Sequence, residues 1–387
     1  MKAISLFTGA GGMDVGFAKA GIKVIWANEL DADAARTYQR NNPDTVLCKG
    51  DIKELKEELF SINKGTVDLV FGGPPCQGFS VAGKMNPDDE RSKLIWEFFD
   101  VVRAIKPSVF VMENVKALGV LSRWKSIRER IIEVASDMGY SCFFKVLNAA
   151  DFGVPQKRER VFFIGFLETE LDVERSFEAE IAKLAKPKVK LRDCLRELAP
   201  AGTEGNPMTC SAKITLASSP VMRKSPYAGM LFNGLGRPLD LDGQANTLPA
   251  SMGGNKTPIL DEMLLDNPNA ENWIANYHAS QKNGEASCNW KVPKHFRRIT
   301  VAEAAAIQSF PPGYEFLGGK SSVYRQIGNA VPCDLATAVA KAVKKVHCLS
   351  TQQSSHSLPQ DAQCKSQTAT QATNRQEKQM RIAGFFL

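Results

Sequence analysis

Over residues 1–165 short apolar, β-rich runs alternate with segments of helical spacing. The runs at residues 3–7, 24–27, 67–71, 109–112 and 161–165 have the length and composition of buried strands. Residues 32–40, 92–105 and 122–138 lie between them with helix-like spacing; in the last, Trp124, Ile127, Ile131, Val134 and Met138 recur every three or four positions. Strands separated by helical crossovers pair in parallel, and a parallel sheet needs helices on both faces. The alternation therefore predicts an α/β chain. In such folds ligands bind at the carboxyl ends of the strands.

The pattern changes from about Leu167. Residues 200–295 are rich in Gly, Pro, Asn and Ser, with turn pairs such as Asn206-Pro207, Gly253-Gly254 and Asn267-Pro268. Long helical periodicity is absent there, which points to a second, loop-rich domain. Helical spacing returns at residues 300–308 and 334–346, where Leu335, Val339, Ala342, Val343 and Val346 form one apolar stripe. From Cys348 onward Gln, Ser and Thr dominate, and the expectation is a disordered extension. The length of 387 residues suits this division. With 43% hydrophobic and 24% charged residues the chain is neither disordered nor a small disulfide scaffold. A net charge of +7 permits a polyanionic partner without arguing for one. No apolar run is long enough to span a bilayer, and residues 1–7 lack the sections of a signal peptide, so none is expected. The nine cysteines form no C-x-x-C pair and the four histidines are scattered, so an intracellular, reducing compartment is expected, with no metal site.

Ser5-Leu6-Phe7-Thr8-Gly9-Ala10-Gly11-Gly12 follows the first strand and opens a helix. Glycines at such a turn let a ligand approach the backbone, and the helix start offers free N–H groups. Glu29 follows the second strand and could hold ribose hydroxyls; Asp51, in Gly50-Asp51-Ile52, follows a third strand that lies ahead of the 67–71 run and could accept from an adenine amino group. By itself the turn also fits a structural glycine turn or a nicotinamide dinucleotide site. The acids after strands two and three favour adenosine.

Gly72-Gly73-Pro74-Pro75-Cys76-Gln77-Gly78-Phe79-Ser80 follows the fourth strand. Two prolines stiffen the backbone before the thiol of Cys76 and place it at the carboxyl edge of the sheet. The other cysteines read as structural.

At this point the chain resembles the DNA (cytosine-5)-methyltransferase family. The Phe-x-Gly-x-Gly-Gly turn matches that family's first motif, and Pro74-Pro75-Cys76-Gln77 its catalytic loop. Glu113-Asn114-Val115 and Gln156-Lys157-Arg158-Glu159-Arg160 match its Glu-Asn-Val and Gln-x-Arg-x-Arg motifs. Arg298-Ile299-Thr300 through Glu303, with Gln308-Ser309-Phe310-Pro311, resembles its ninth motif, and Gly328-Asn329-Ala330-Val331-Pro332 matches its tenth. The motifs occur in the family's order from residue 4 to about 346.

The resemblance implies a Rossmann-like S-adenosylmethionine-dependent methyltransferase fold with a mixed, mostly parallel sheet and an inserted, smaller, loop-rich target-recognition domain. It implies catalysis by Cys76, Glu113, Arg158 and Arg160. S-adenosylmethionine would meet Phe7, Gly9, Gly11, Gly12, Glu29, Leu30, Asp51, Ile52, Pro74, Leu94, Asn329 and Val331. Gln77, Ser80, Lys84 and Arg91 would contact duplex DNA, to which the enzyme would bind as a monomer. The catalytic domain would comprise residues 1–169 and 322–347, and the recognition domain residues 170–321. Arg223, Lys224, Asn255 and Lys256 are candidate base readers. A tRNA cytosine methyltransferase of the same superfamily is an alternative, although its Cys-Phe-Thr signature is absent; so is a non-catalytic DNA-binding relative.

Residues 348–387 form the remaining segment. Its end, Gln379-Met380-Arg381-Ile382-Ala383-Gly384-Phe385-Phe386-Leu387, resembles the PIP box that binds the replication sliding clamp, through Gln379, Ile382, Phe385 and Phe386. The expected location is the cytoplasm, on the nucleoid, for a prokaryotic source and the nucleus for a eukaryotic one.

Overall fold

The computed structural model describes residues 1–55, 59, 65–75 and 93–356. The alternation read from the sequence appears as β1 (Lys2–Leu6), α1 (Gly12–Lys19), β2 (Lys23–Glu29), α2 (Ala32–Asn41), β3 (Val46–Lys49), β4 (Leu69–Gly72), α3 (Leu94–Ile105) and β5 (Val109–Val115). Next come α4 (Lys116–Val120), α5 (Lys125–Asp137), β6 (Tyr140–Asn148), β7 (Gln156–Lys157), β8 (Glu159–Leu167) and α6 (Val173–Ala182). Seven strands form one sheet in the order β3-β2-β1-β4-β5-β8-β6. The neighbours from β3 to β5 are parallel, and β8 runs antiparallel to both β5 and β6. The expected mixed, mostly parallel sheet is present.

Strand alternation divides the core. Leu69, Phe71, Val109 and Val111 face the apolar layer shared with Phe17 and Phe177. Val70, Phe110 and Met112 face the layer built on Phe98, Phe99 and Trp124. The chain winds outward in both directions from β1 and β4, so their carboxyl ends flank the switch point where α/β sheets open a crevice. Leu6 pairs with Gly72, and Gly72 with Met112. The glycine turn, the Pro-Pro-Cys loop and Glu113 therefore leave the sheet side by side. Because β8 is antiparallel, its first residues reach the same edge, and Arg160 pairs with Val115.

The remaining elements are shorter: α7 (Leu191–Arg196), β9 (Leu216–Val221), β10 (Met230–Phe232), β11 (Ala245–Asn246), β12 (Ile259–Asp261), α8 (Glu262–Asp266), α9 (Trp273–Lys282) and β13 (Phe296–Arg298). They surround two further apolar clusters, one around Leu248, Leu260 and Tyr324, the other around Phe232, Ile274 and Tyr277. The chain ends its described course with α10 (Val301–Ile307), α11 (Lys320–Asn329) and α12 (Cys333–His356). α12 returns to α1. A Cβ on Gly16 would lie 2.5 Å from the Ala336 Cβ and 2.7 Å from the Cys333 carbonyl, so only glycine allows that approach. Lys19 pairs with Asp334 at 3.2 Å beside it.

Three expectations are corrected. Residues 348–356 are not loose tail but the end of α12; Thr351 bonds back to the His347 carbonyl, as hydroxyls on a polar helix can. α9 lies in the stretch read as lacking long helices; its buried face mixes Ile274 and Tyr277 with His278 and Ser280, which hides the period. β6 was not among the expected strands. It is an edge strand, and its Lys145, paired with Glu174 at 3.0 Å, interrupts the apolar signal. Among the described residues no helix is long and apolar enough to cross a membrane.

Candidate active site at the carboxyl edge of the sheet

Glu113 lies near the carboxyl end of β5, and its carboxylate meets the Arg160 Nε at 2.8 Å, both side chains nearly buried. Burial pushes the Glu113 carboxyl above its usual range, while the charges of Arg160 and Arg158 pull the other way. The second carboxylate oxygen faces the root of the Pro-Pro-Cys loop: a Cβ on Gly73 would lie 2.7 Å from it. Asn114 fixes that root by donating from Nδ2 to the Pro74 carbonyl at 3.2 Å. Cys76, Gln77, Ser80, Lys84 and Arg91 lie outside the described residues.

Arg158 does not join the Glu113–Arg160 contact as a hydrogen-bond partner. It is 1% exposed. Its Nη1 donates to the Leu248 carbonyl at 3.1 Å and its Nη2 to the Gly328 carbonyl at 2.7 Å. It thus ties β8 both to the loop-rich region and to the Gly-Asn-Ala-Val-Pro segment.

The glycine turn adopts the backbone its residues permit. Gly9 and Gly11 have φ of 56° and 86°, and Phe7 adopts φ 54°, a left-handed conformation that costs a non-glycine residue about 1–3 kcal/mol. Glu29 holds the turn: its Oε2 accepts from the Gly9 N–H and its Oε1 from the Asp31 N–H, each at 2.7 Å. Gly12 abuts the Val331 carbonyl, 2.5 Å from where its Cβ would stand, so the first and tenth motifs touch. The space beside Gly9 is open, and Leu30 is 64% exposed next to Glu29. Asp51 accepts from the Lys53 N–H at 3.0 Å, Ile52 is buried, and Leu94 packs against the same apolar cluster. Asn329 is exposed. An open cradle with two acids and an uncovered aliphatic side chain fits an adenosine-bearing ligand.

A family model for C-5 cytosine-specific DNA methylase matches residues 1–345. The chain belongs to this family. It is an enzyme of the DNA cytosine-5 methyltransferase class. The Type II methyltransferase M.NgoPII of Neisseria gonorrhoeae is 33% identical over 347 residues, which cover 89% of this chain and 96% of that protein. The Type II methyltransferase M1.HphI of Haemophilus parahaemolyticus is 34% identical over 353 residues, 89% of this chain and 87% of its own. Among solved structures, the Dnmt2 methyltransferase of S. pombe superposes with a TM-score of 0.59 at 16% identity, over 89% of this chain and 98% of that one, a likeness of fold.

One feature of this cytosine methylase went unread in the sequence. Leu235 is 53% exposed and has φ 69°, an unusual pairing for a large apolar residue. Gly234 and Gly236 hold it there. A Cβ on the first would lie 2.2 Å from the Asn255 Cβ, and on the second 2.0 Å from the Arg298 Nη1. The signal was the Gly-Leu-Gly triplet itself. The candidate base readers Arg223, Lys224, Asn255 and Lys256 are all exposed, and Asn255 packs under this turn.

Proposed function

We propose that this enzyme methylates C5 of a cytosine flipped out of a specific duplex DNA site, by way of a covalent bond between Cys76 and C6 of the base. The observation that carries the reading is the buried Glu113–Arg160 pair beside the root of the Pro-Pro-Cys loop. Cytosine C5 is a weak nucleophile. Addition of the Cys76 thiolate to C6 places electron density on N3 and C5. Glu113, its carboxyl raised by burial, donates a hydrogen bond or proton at N3 and accepts from the exocyclic amine. Arg160 meets O2 while orienting Glu113. S-adenosylmethionine, bound at the glycine turn, supplies an electrophilic methyl group. Once C5 has taken that methyl group, with the sulfonium leaving as a neutral thioether, C5 loses its proton to a base, any proton held by N3 returns to Glu113, the C6–S bond cleaves, and the thiolate returns.

The domain reading follows the same lines. Residues 1–169 and 322–347 act as the catalytic unit, with α12 closing on α1, and residues 170–321 read DNA. A base inside a duplex must be unstacked at a cost of a few kcal/mol. Leu235, held out rigidly, suits an apolar wedge that offsets part of this cost. The Type II names of the relatives favour a modification role beside a restriction enzyme. The clamp reading of the tail lies outside the described residues and rests on its sequence; its test is loss of clamp capture on Phe385→Ala with Phe386→Ala.

The test uses genome-length duplex DNA copied with 5-fluorocytosine in place of cytosine, so that short recognition sites are represented. Fluorine cannot leave as a proton does, and a denaturation-resistant protein–DNA adduct should accumulate only with S-adenosylmethionine. Absence of an adduct from wild-type protein, or its persistence in Cys76→Ala, would sink the covalent mechanism. Leu235→Ala should slow adduct formation about ten- to hundredfold, the worth of burying one leucine; an unchanged rate removes the wedge.

A further inference from the structure

The segment after α10 straps itself along α2 by reciprocal hydrogen bonds. Asn41 donates to the Glu315 carbonyl at 2.8 Å and accepts from the Glu315 N–H at 3.1 Å. One turn earlier on the same face, the Thr37 Oγ1 accepts from the Leu317 N–H at 2.8 Å and donates to its carbonyl at 3.3 Å. Side chains of a helix thus pair a passing backbone as a neighbouring strand would. Arg40 adds a two-pronged contact to Glu315 at 2.8 and 3.1 Å.

Pinned so, the strap sends Tyr314 across to the glycine turn. Its hydroxyl donates to the Ala10 carbonyl. A Cβ on Gly11 would lie 2.8 Å from that hydroxyl and 3.2 Å from the Tyr38 ring. Tyr38 is fixed in turn by donating to the Asp14 carboxylate at 3.0 Å, and Asp14 is 1% exposed. The turn has two left-handed glycines and few bonds of its own, chiefly Gly11 N–H to the Thr8 carbonyl at 3.0 Å. Two tyrosines from elsewhere in the chain therefore close over it.

We propose that Tyr314 is a positioning residue for the cofactor turn: its hydroxyl fixes the Ala10 carbonyl and so holds Gly9 to Gly12 in the ligand-ready shape. The proposal rests on the reading of that turn as the S-adenosylmethionine site. A turn already in its bound shape loses less freedom on binding, so the strap raises cofactor affinity without touching the reacting atoms. The strap's hydrogen bonds run to α2 and to the glycine turn.

Tyr314→Phe removes only the hydroxyl and keeps the ring. Amide hydrogen exchange of the cofactor-free protein should then quicken at residues 8–12 about three- to tenfold, the worth of one hydrogen bond, with β5 and β8 unchanged. The dissociation constant and KM for S-adenosylmethionine should rise by the same factor, with kcat at saturation and the affinity for duplex DNA unaltered. Wild-type exchange at residues 8–12, or a fall in kcat with KM unchanged, would overturn the proposal. If wild-type protein fails to bind S-adenosylmethionine, the cofactor reading fails. The exchange measurement, made without ligand, still decides whether Tyr314 holds the turn.

Discussion

Glu113→Gln lowers kcat by about two to four orders of magnitude, the range expected for loss of a positioned proton donor. The substitution keeps the shape of the side chain and can still accept from the Arg160 guanidinium, which stands 2.8 Å from the carboxylate. It cannot transfer a proton to N3 or carry a charge. Two opposing influences make the native carboxyl suitable. Burial raises its pKa, and Arg160 and Arg158 limit that rise. A carboxyl held in this way keeps a proton into a higher pH range than a free glutamate does. The wild-type rate should therefore fall as pH rises through the raised pKa of Glu113, because the protonated form is the donor. That limb should vanish in Glu113→Gln. The melting midpoint should drop above the raised pKa of Glu113, where the wild-type carboxylate pairs the nearly buried Arg160 cation and glutamine leaves it without a counter-charge. The check is single-turnover transfer to a methylatable duplex at saturating S-adenosylmethionine across pH. A variant within threefold of wild type would remove Glu113 from the chemistry.

What could be read from the sequence was what repeats or stands alone. Strand–helix alternation fixed the fold class because each buried strand is a short apolar run, as in 67–71 and 109–112. The motifs were legible because glycine, proline and cysteine at turns have few substitutes. β6 was lost because an edge strand needs only one apolar neighbour and can carry Lys145. The end of α12 was lost because composition alone marks Ser, Gln and Thr as tail, whereas a helix already nucleated extends through them. The site itself divided in the same way. The closeness of Glu113 and Arg160 requires that β8 run antiparallel, which no local pattern announces. The strap through Tyr314 joins residues some 300 positions apart, and only the folded chain brings them together. Leu235 shows the converse case. Its Gly-x-Gly setting is visible in sequence, yet its exposure is not.

The second large effect separates the two arginines of one motif. Arg158→Ala should lower the melting midpoint by about 4 °C, corresponding to about 3 kcal/mol in a chain of this size. Arg158 lies buried and donates to the carbonyls of Leu248 and Gly328, with Asn329 at 3.4 Å. Charge-assisted bonds of this kind contribute about 1.5–3 kcal/mol each and are not additive. Truncation also leaves two carbonyls without their donor in a site too tight to rehydrate: a Cβ on Gly328 would already stand 2.5 Å from the Pro249 carbonyl. Lysine should rescue only part, because a single ammonium on a thinner stem cannot span carbonyls that a planar fork reaches together. Arg160→Ala should behave in the opposite manner. Among the described residues its polar contacts are Glu113 and the neighbouring Glu159 carbonyl, so the fold should survive while transfer falls steeply. Thermal melting and single-turnover rates measured on both variants give two axes. Equal melting of Arg158→Ala and wild type would refute the stapling role. Loss of stability in Arg160→Ala comparable to that of Arg158→Ala would refute the division of labour. The contrast follows from geometry, since Arg158 immediately precedes β8 and Arg160 is its second residue, yet their guanidinium groups meet different partners.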